Sequence, residues 1–96
     1  MGINQILKEK REEILRIASK HGARNVRVFG SVARGEADER SDIDILVEMD
    51  PDRSLLDLVR LWRELNELLG IKVDVVTDKG LRDSIRERVL KEAAPL

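Results

Sequence analysis

Cysteine is missing from this chain, which removes disulfides and thiolate metal ligation from consideration. Tyrosine is absent too, proline occurs twice, and Phe29 and Trp62 are the sole aromatic residues. A core must therefore be built from Leu, Ile and Val. No apolar run approaches the roughly 20 residues that cross a bilayer. The N-terminus carries no apolar segment of the signal-peptide kind, so the expected address is cytoplasmic, with no membrane partner. No excess of one charge is present either. A net charge of −1 argues against holding nucleic acid by bulk electrostatics. Repeats, linkers and low-complexity stretches are lacking.

What is present reads as globular. The 96 residues are 42% hydrophobic and suit one domain spanning 1–96. Charged residues reach 39%, well above the usual quarter, which implies a heavily ion-paired surface. Their distribution is uneven. Residues 1–34 hold eight basic and three acidic side chains, while residues 35–52 hold one basic and eight acidic ones. An acidic block of that size is either a solvated loop or a cation site, and its internal order has to decide.

Residues 3–20 set Ile3, Ile6, Leu7, Ile14, Ile17 and Ala18 at helical spacing, with Gly22 as the stop. His21 at that helix end reads as a favourable cap charge. Val26–Phe29 is a short β-prone run ended by Gly30, Ser31–Arg34 can form one helical turn, and Gly35–Ser41 is a polar loop. Asp42–Met49 alternates as a second strand, with Ile43, Ile45 and Val47 on one face. After Pro51, Ser54 and Asp57 form a capping-box pattern opening a long helix. Its expected buried stripe is Leu55, Leu58, Val59, Trp62, Leu65 and Leu69, and Gly70 ends it. Lys72–Thr77 is a third strand with Asp74 and Val76 on one face, and a final helix over about 80–94 should bury Leu81, Ile85, Val89 and Leu90.

The predicted order is α-β-β-α-β-α. The long helix suits a crossover that makes the second and third strands parallel, whereas the short link before it makes the first two antiparallel. The expected fold is α/β (α+β): a small mixed sheet of about three strands with helices on one side.

Asp42 and Asp44 lie two apart on one strand, so their carboxylates share a face, about 7 Å apart along the chain. Such a pair can approach a divalent-metal pair from one side, and oxygen ligands of this kind suit Mg²⁺. An Asp-x-Asp pair is also common on ordinary surfaces, so the pattern does not suffice alone. Gly30-Ser31 after a strand can converge backbone N–H groups on an anion, although a strand-ending glycine with a serine cap looks the same. The two become informative together. An antiparallel return sets the end of the first strand beside the start of the second, and hence a phosphate cradle beside a carboxylate pair. The crossover returns Asp74 beside Asp44, and a charge between valines is costly unless paired or metal-bound. Arg34 is a candidate phosphate contact and Ser41 a candidate for ordering the strand entrance; surface roles suit both equally. Trp62 reads as core.

Val28-Phe29-Gly30-Ser31-Val32-Ala33-Arg34-Gly35, followed by Ser41-Asp42-Ile43-Asp44-Ile45-Leu46-Val47, resembles the signature of the DNA polymerase β-like nucleotidyltransferase superfamily. Within it the chain is similar to the minimal nucleotidyltransferases (MNT proteins) over essentially its whole length. Ten residues between Gly-Ser and Asp-x-Asp make the motif far more specific than either part. The resemblance implies that Gly30 and Ser31 bind the triphosphate of ATP. Asp42 and Asp44 would hold two Mg²⁺ ions, and Asp74 would complete the site of the metal that activates the attacking hydroxyl. It also implies an antitoxin role, in which AMP passes from ATP to a tyrosine of a partner HEPN-domain toxin. An alternative is a non-catalytic module that neutralises its partner by complex formation. A transferase acting on small molecules or RNA ends fits less well, given the charge balance and the small size.

Overall fold

The structure, a computed structural model, describes residues 2–38 and 40–96. Helix α1 (Ile3–Lys20) turns its Ile3, Leu7, Ile14 and Ala18 inward, and the chain enters strand β1 (Ala23–Phe29). A single helical turn, α2 (Gly30–Ala33), leads through a polar loop to β2 (Ile43–Met49). Helix α3 (Leu55–Leu69) carries the chain across to β3 (Val73–Thr77). A 3₁₀ turn (Asp78–Gly80) precedes α4 (Asp83–Glu92), and a two-residue strand β4 (Ala94–Pro95) ends the fold.

The sheet order is β3-β2-β1-β4. Strands β1 and β2 run antiparallel, with Val28 opposite Ile45 and Phe29 opposite Asp44, while β2 and β3 run parallel. Both orientations follow the expected link lengths. β4 is an addition to the three-strand expectation: Ala94 and Pro95 pair with Val28 and Arg27 along the free edge of β1. Two residues ending in proline have no periodicity to read, so only the exposed edge of β1 selects them. Strand β1 also begins three residues earlier than Val26, across an irregularity between Arg24 and Arg27 where Asn25 adopts φ +49°. The final helix is shorter than 80–94, and of its expected buried residues Val89 is buried whereas Leu90 is exposed.

Ile43, Ile45 and Val47 of β2, with Val28 and Val73 beside them, form the inner face, and α1 and α3 cover it. Helix α3 opens on the capping box, in which the Ser54 amide donates to Asp57 Oδ2 at 3.0 Å. Its buried stripe differs from the expected one. Leu61, Leu65 and Leu69 are buried, whereas Leu55, Val59 and Trp62 are exposed, Leu55 by 74%. The helix is apolar over more than one face, and two stripes satisfy helical spacing equally well; the sheet selects one of them. His21 is buried rather than a free cap, with Nε2 2.9 Å from Glu64 Oε2, which ties the end of α1 to α3.

One contact sets the third strand in place. Asn66 of α3 donates from Nδ2 to the Val73 carbonyl (3.1 Å) and accepts the Val73 amide on Oδ1 (2.9 Å). The side-chain amide acts as a peptide unit at the start of β3, and the next residue is Asp74.

Candidate active site

The antiparallel turn from β1 to β2 brings the glycine and the aspartates together. Phe29 pairs with Asp44, so Gly30 begins α2 directly beside that carboxylate. Gly30 has φ +69°, and a Cβ added there would collide with the Asp44 carboxylate. The residue is glycine for two separate reasons: a left-handed backbone and a side chain packed against its Cα. Asp74 stands opposite Asp44 across the parallel ladder, and Ile43 opposite Val73 puts Asp42 and Lys72 one step earlier. The expected grouping of Gly30, Asp42, Asp44 and Asp74 is therefore present. Ser31 follows Gly30 in α2 and is half-buried; its carbonyl accepts the Glu36 amide at 2.9 Å.

The electrostatics of the group are those of crowded acids. Asp44 is pushed above the usual carboxylate range, first by partial burial and then by the charges of Asp74 and Asp42; Arg34 acts in the opposite direction. Among the described residues, Asp42 has one ion-pair partner, Lys72 Nζ, at 3.5 Å from Oδ2. Among the described residues, no three carboxylate or imidazole side chains are drawn together tightly enough to form a finished metal cage. The donor set nevertheless suits a hard divalent cation, because three aspartates that repel one another around Asp44 gain most from a positive ion between them.

The second-rank candidates separate. Arg34 ends α2 and donates from Nε to Glu36 (3.1 Å) and from Nη1 to Glu92. It is exposed and close enough to bias Asp44, which puts it on the Gly30 side of the group. Ser41 bonds within its own loop. Its hydroxyl accepts the Asp38 amide at 2.9 Å and lies 3.2 Å from Asp38 Oδ1, so it closes the loop that leads into β2. Glu92 and Lys72 were not singled out from the sequence. Lys72 could have been found by carrying the parallel register one residue back from Asp74. Glu92 gives no such signal, since it meets Gly30 from 62 positions away.

Residues 5–96 match the family described as the nucleotidyltransferase domain. The chain is 48% identical over 93 residues to a Methanocaldococcus jannaschii protein provisionally named a protein adenylyltransferase, covering 97% of this chain and 96% of that protein. It is 41% identical over 90 residues to the protein adenylyltransferase MntA of Thermococcus cleftensis, covering 94% and 88% of the two chains. A solved structure provisionally described as a minimal nucleotidyltransferase superposes with TM-score 0.88 at 51% identity, covering 100% of this chain and 97% of that one. A toxin–antitoxin structure with AMP-PNP shares the fold, with TM-score 0.74 at 21% identity, over 88% of this chain and 69% of that one. With Gly30 and Ser31 set beside Asp42, Asp44 and Asp74, the chain belongs to the nucleotidyltransferase domain family and, within it, to the minimal nucleotidyltransferases.

Proposed function

We propose that this nucleotidyltransferase moves AMP from ATP to a side-chain hydroxyl of a partner protein in the cytoplasm, the partner being a HEPN-class toxin and the acceptor a tyrosine. The observation that carries the reading is the register of three strands: Gly30 follows the residue opposite Asp44, and Asp44 faces Asp74. Gly30 and the acidic group thus adjoin, which supports a phosphate cradle beside a carboxylate group. The 41% identical relative is named a protein adenylyltransferase, which supports a protein acceptor. Solved MntA–HpeT toxin–antitoxin complexes share the fold, which is consistent with a toxin partner. The chain contains no tyrosine, so a tyrosine acceptor has to come from another molecule.

In this reading the Gly30 amide and Ser31 hold the triphosphate, and Arg34 adds a guanidinium to its oxygens. Asp42 and Asp44 hold Mg²⁺, with Asp74 on the acceptor side. Mg²⁺ bound there supplies charge neutralisation of the phosphates and activation of the hydroxyl. The acceptor hydroxyl gives up its proton to solvent and its oxygen forms a bond to the α-phosphorus as the bond to the bridging oxygen breaks, and pyrophosphate leaves. The chain's own contribution is positioning and a fixed electrostatic frame.

A test combines the protein with α-labelled ATP, Mg²⁺ and a HEPN-class toxin from the same source. Label should pass to the toxin, and a chelator or the Asp42→Ala/Asp44→Ala double variant should abolish transfer. Label that persists in the double variant overturns the reading. The exposed Leu55, Leu56, Val59 and Trp62 of α3 favour a second reading, in which complex formation alone neutralises the toxin. That reading requires the double variant to protect as well as the parent chain.

A further inference from the structure

Glu92 is the last residue of α4, yet its carboxylate is bonded to the phosphate side of the site. Oε2 accepts the Gly30 amide at 3.0 Å, and Oε1 accepts Arg34 Nη1. The bonds from Arg34 and Gly30, and the nearby charge of Arg88, favour an ionised acid there, but the helix end itself does not. The last turn of a helix exposes carbonyl oxygens and favours cations, and Lys91 already serves that end. Glu92 also adds to the negative charge that disfavours ionised Asp44. Both penalties are offset by the two donors it engages. Those donors, a main-chain N–H after a strand and a guanidinium, are the pair that recognises phosphate oxygens.

We propose that Glu92 is an internal competitor for the triphosphate: it occupies Gly30 and Arg34, and nucleotide binding must displace it. The proposal rests on the nucleotide site set out above and concerns how that site is regulated. The displacement belongs to the side chain rather than the backbone. Immediately after it, Ala94 and Pro95 pair with β1, and the Leu96 amide donates to the Val26 carbonyl at 3.2 Å. Arg11 Nε also donates to the Leu96 carbonyl at 2.9 Å. With the strand held at these points, the Glu92 carboxylate can rotate toward solvent while α4 and β4 stay docked. The nucleotide's apparent affinity is then lowered by the fraction of molecules in which Glu92 holds the cradle. A purely structural tie between α4 and α2 would make no such difference to affinity.

Isothermal titration of Mg²⁺-ATP into the full chain and into Glu92→Gln separates the two. The glutamine keeps an oxygen for the Gly30 amide but loses the charge held by Arg34. Binding should tighten on the order of three- to tenfold. Equal or weaker binding in a folded Glu92→Gln overturns the competition while leaving the nucleotide site intact. Should Glu92→Gln fail to fold, inorganic tripolyphosphate is titrated into the ¹⁵N-labelled parent chain. The Gly30 amide and Arg34 guanidinium Nη resonances should then move together and saturate, with Ala94 and Leu96 unmoved. Saturable binding that leaves Gly30 unshifted overturns the proposal. If the parent chain binds neither Mg²⁺-ATP nor tripolyphosphate, the nucleotide reading fails and the competition fails with it.

Discussion

Asp44 and Asp74 face each other across the parallel β2–β3 ladder, and the charge of Asp74 helps hold the Asp44 carboxyl above its usual range. Two like charges in this position oppose the fold that creates them. The proposed metal site would need both.

Asp44→Asn should therefore stabilise the protein while ending nucleotidyl transfer. Removing a like charge directly opposite another is worth about 0.5–1 kcal/mol. In a domain of this size that raises Tm by roughly 2–8 °C. The sign with pH follows from the raised carboxyl: the penalty is present where Asp44 is ionised and is relieved as pH falls through its folded-state value. Thermal melts of both proteins across the acid range should show the gap narrowing as pH drops. A gap that stays constant would mean repulsion is not its source.

Glu64 works in the other direction. Its carboxyl lies below the usual range because His21, then Lys20, bonds to it. Its contribution to stability is complete above the ordinary glutamate value and is lost as pH falls through the depressed one. Glu64→Gln should lower stability at neutral pH and flatten the acid limb of a stability–pH curve measured by urea unfolding. An acid limb as steep as that of the parent chain would contradict the assignment.

Gly30 and Gly35 provide a matched pair. Both have positive φ, +69° and +73°, but an added Cβ at Gly35 meets nothing within 4 Å, whereas at Gly30 it meets Asp44. Gly35→Ala should cost about 1 kcal/mol from the backbone alone. Gly30→Ala adds overpacking and should cost above roughly 2 kcal/mol, with transfer activity lost. Equal melting points for the two variants would show that the contact with Asp44 does not matter.

Helix α3 can be tested by its two stripes. Leu61→Ala removes a fully buried side chain and should cost about 2–5 kcal/mol. Leu55→Ser changes a largely exposed position and should stay within about 0.5 kcal/mol, whereas Trp62→Ser, at a position 44% exposed, should cost an amount between the two. Denaturant unfolding of the three variants measures this. A large loss in Trp62→Ser would return that residue to the core.

Much of the site was legible because its parts are close in sequence or related by topology alone. Gly30, Asp42 and Asp44 flank one connection that holds a single helical turn rather than a crossover helix, which favours an antiparallel return. Asp74 follows a helix long enough for a crossover, and the parallel register then sets it at Asp44. Local patterns also marked the Ser54–Asp57 capping box and the inward face of β2.

Other features depend on which surfaces meet. Alternation in a strand has one phase, so the inner face of β2 can be read from its residues. A helix as apolar as α3 has several candidate stripes, and the contact with the sheet buries Leu61 and Leu65 and leaves Trp62 out. β4 exists because β1 offers an open edge, and Asn66 matters because its amide meets the start of β3. The chain's own order thus determined the cradle, the carboxylates and the direction of each strand, since short links and strand periodicity leave few alternatives. Tertiary structure alone decided that Glu92 would close on Gly30 and Arg34, because contacts spanning 62 and 58 positions leave no local pattern at either end.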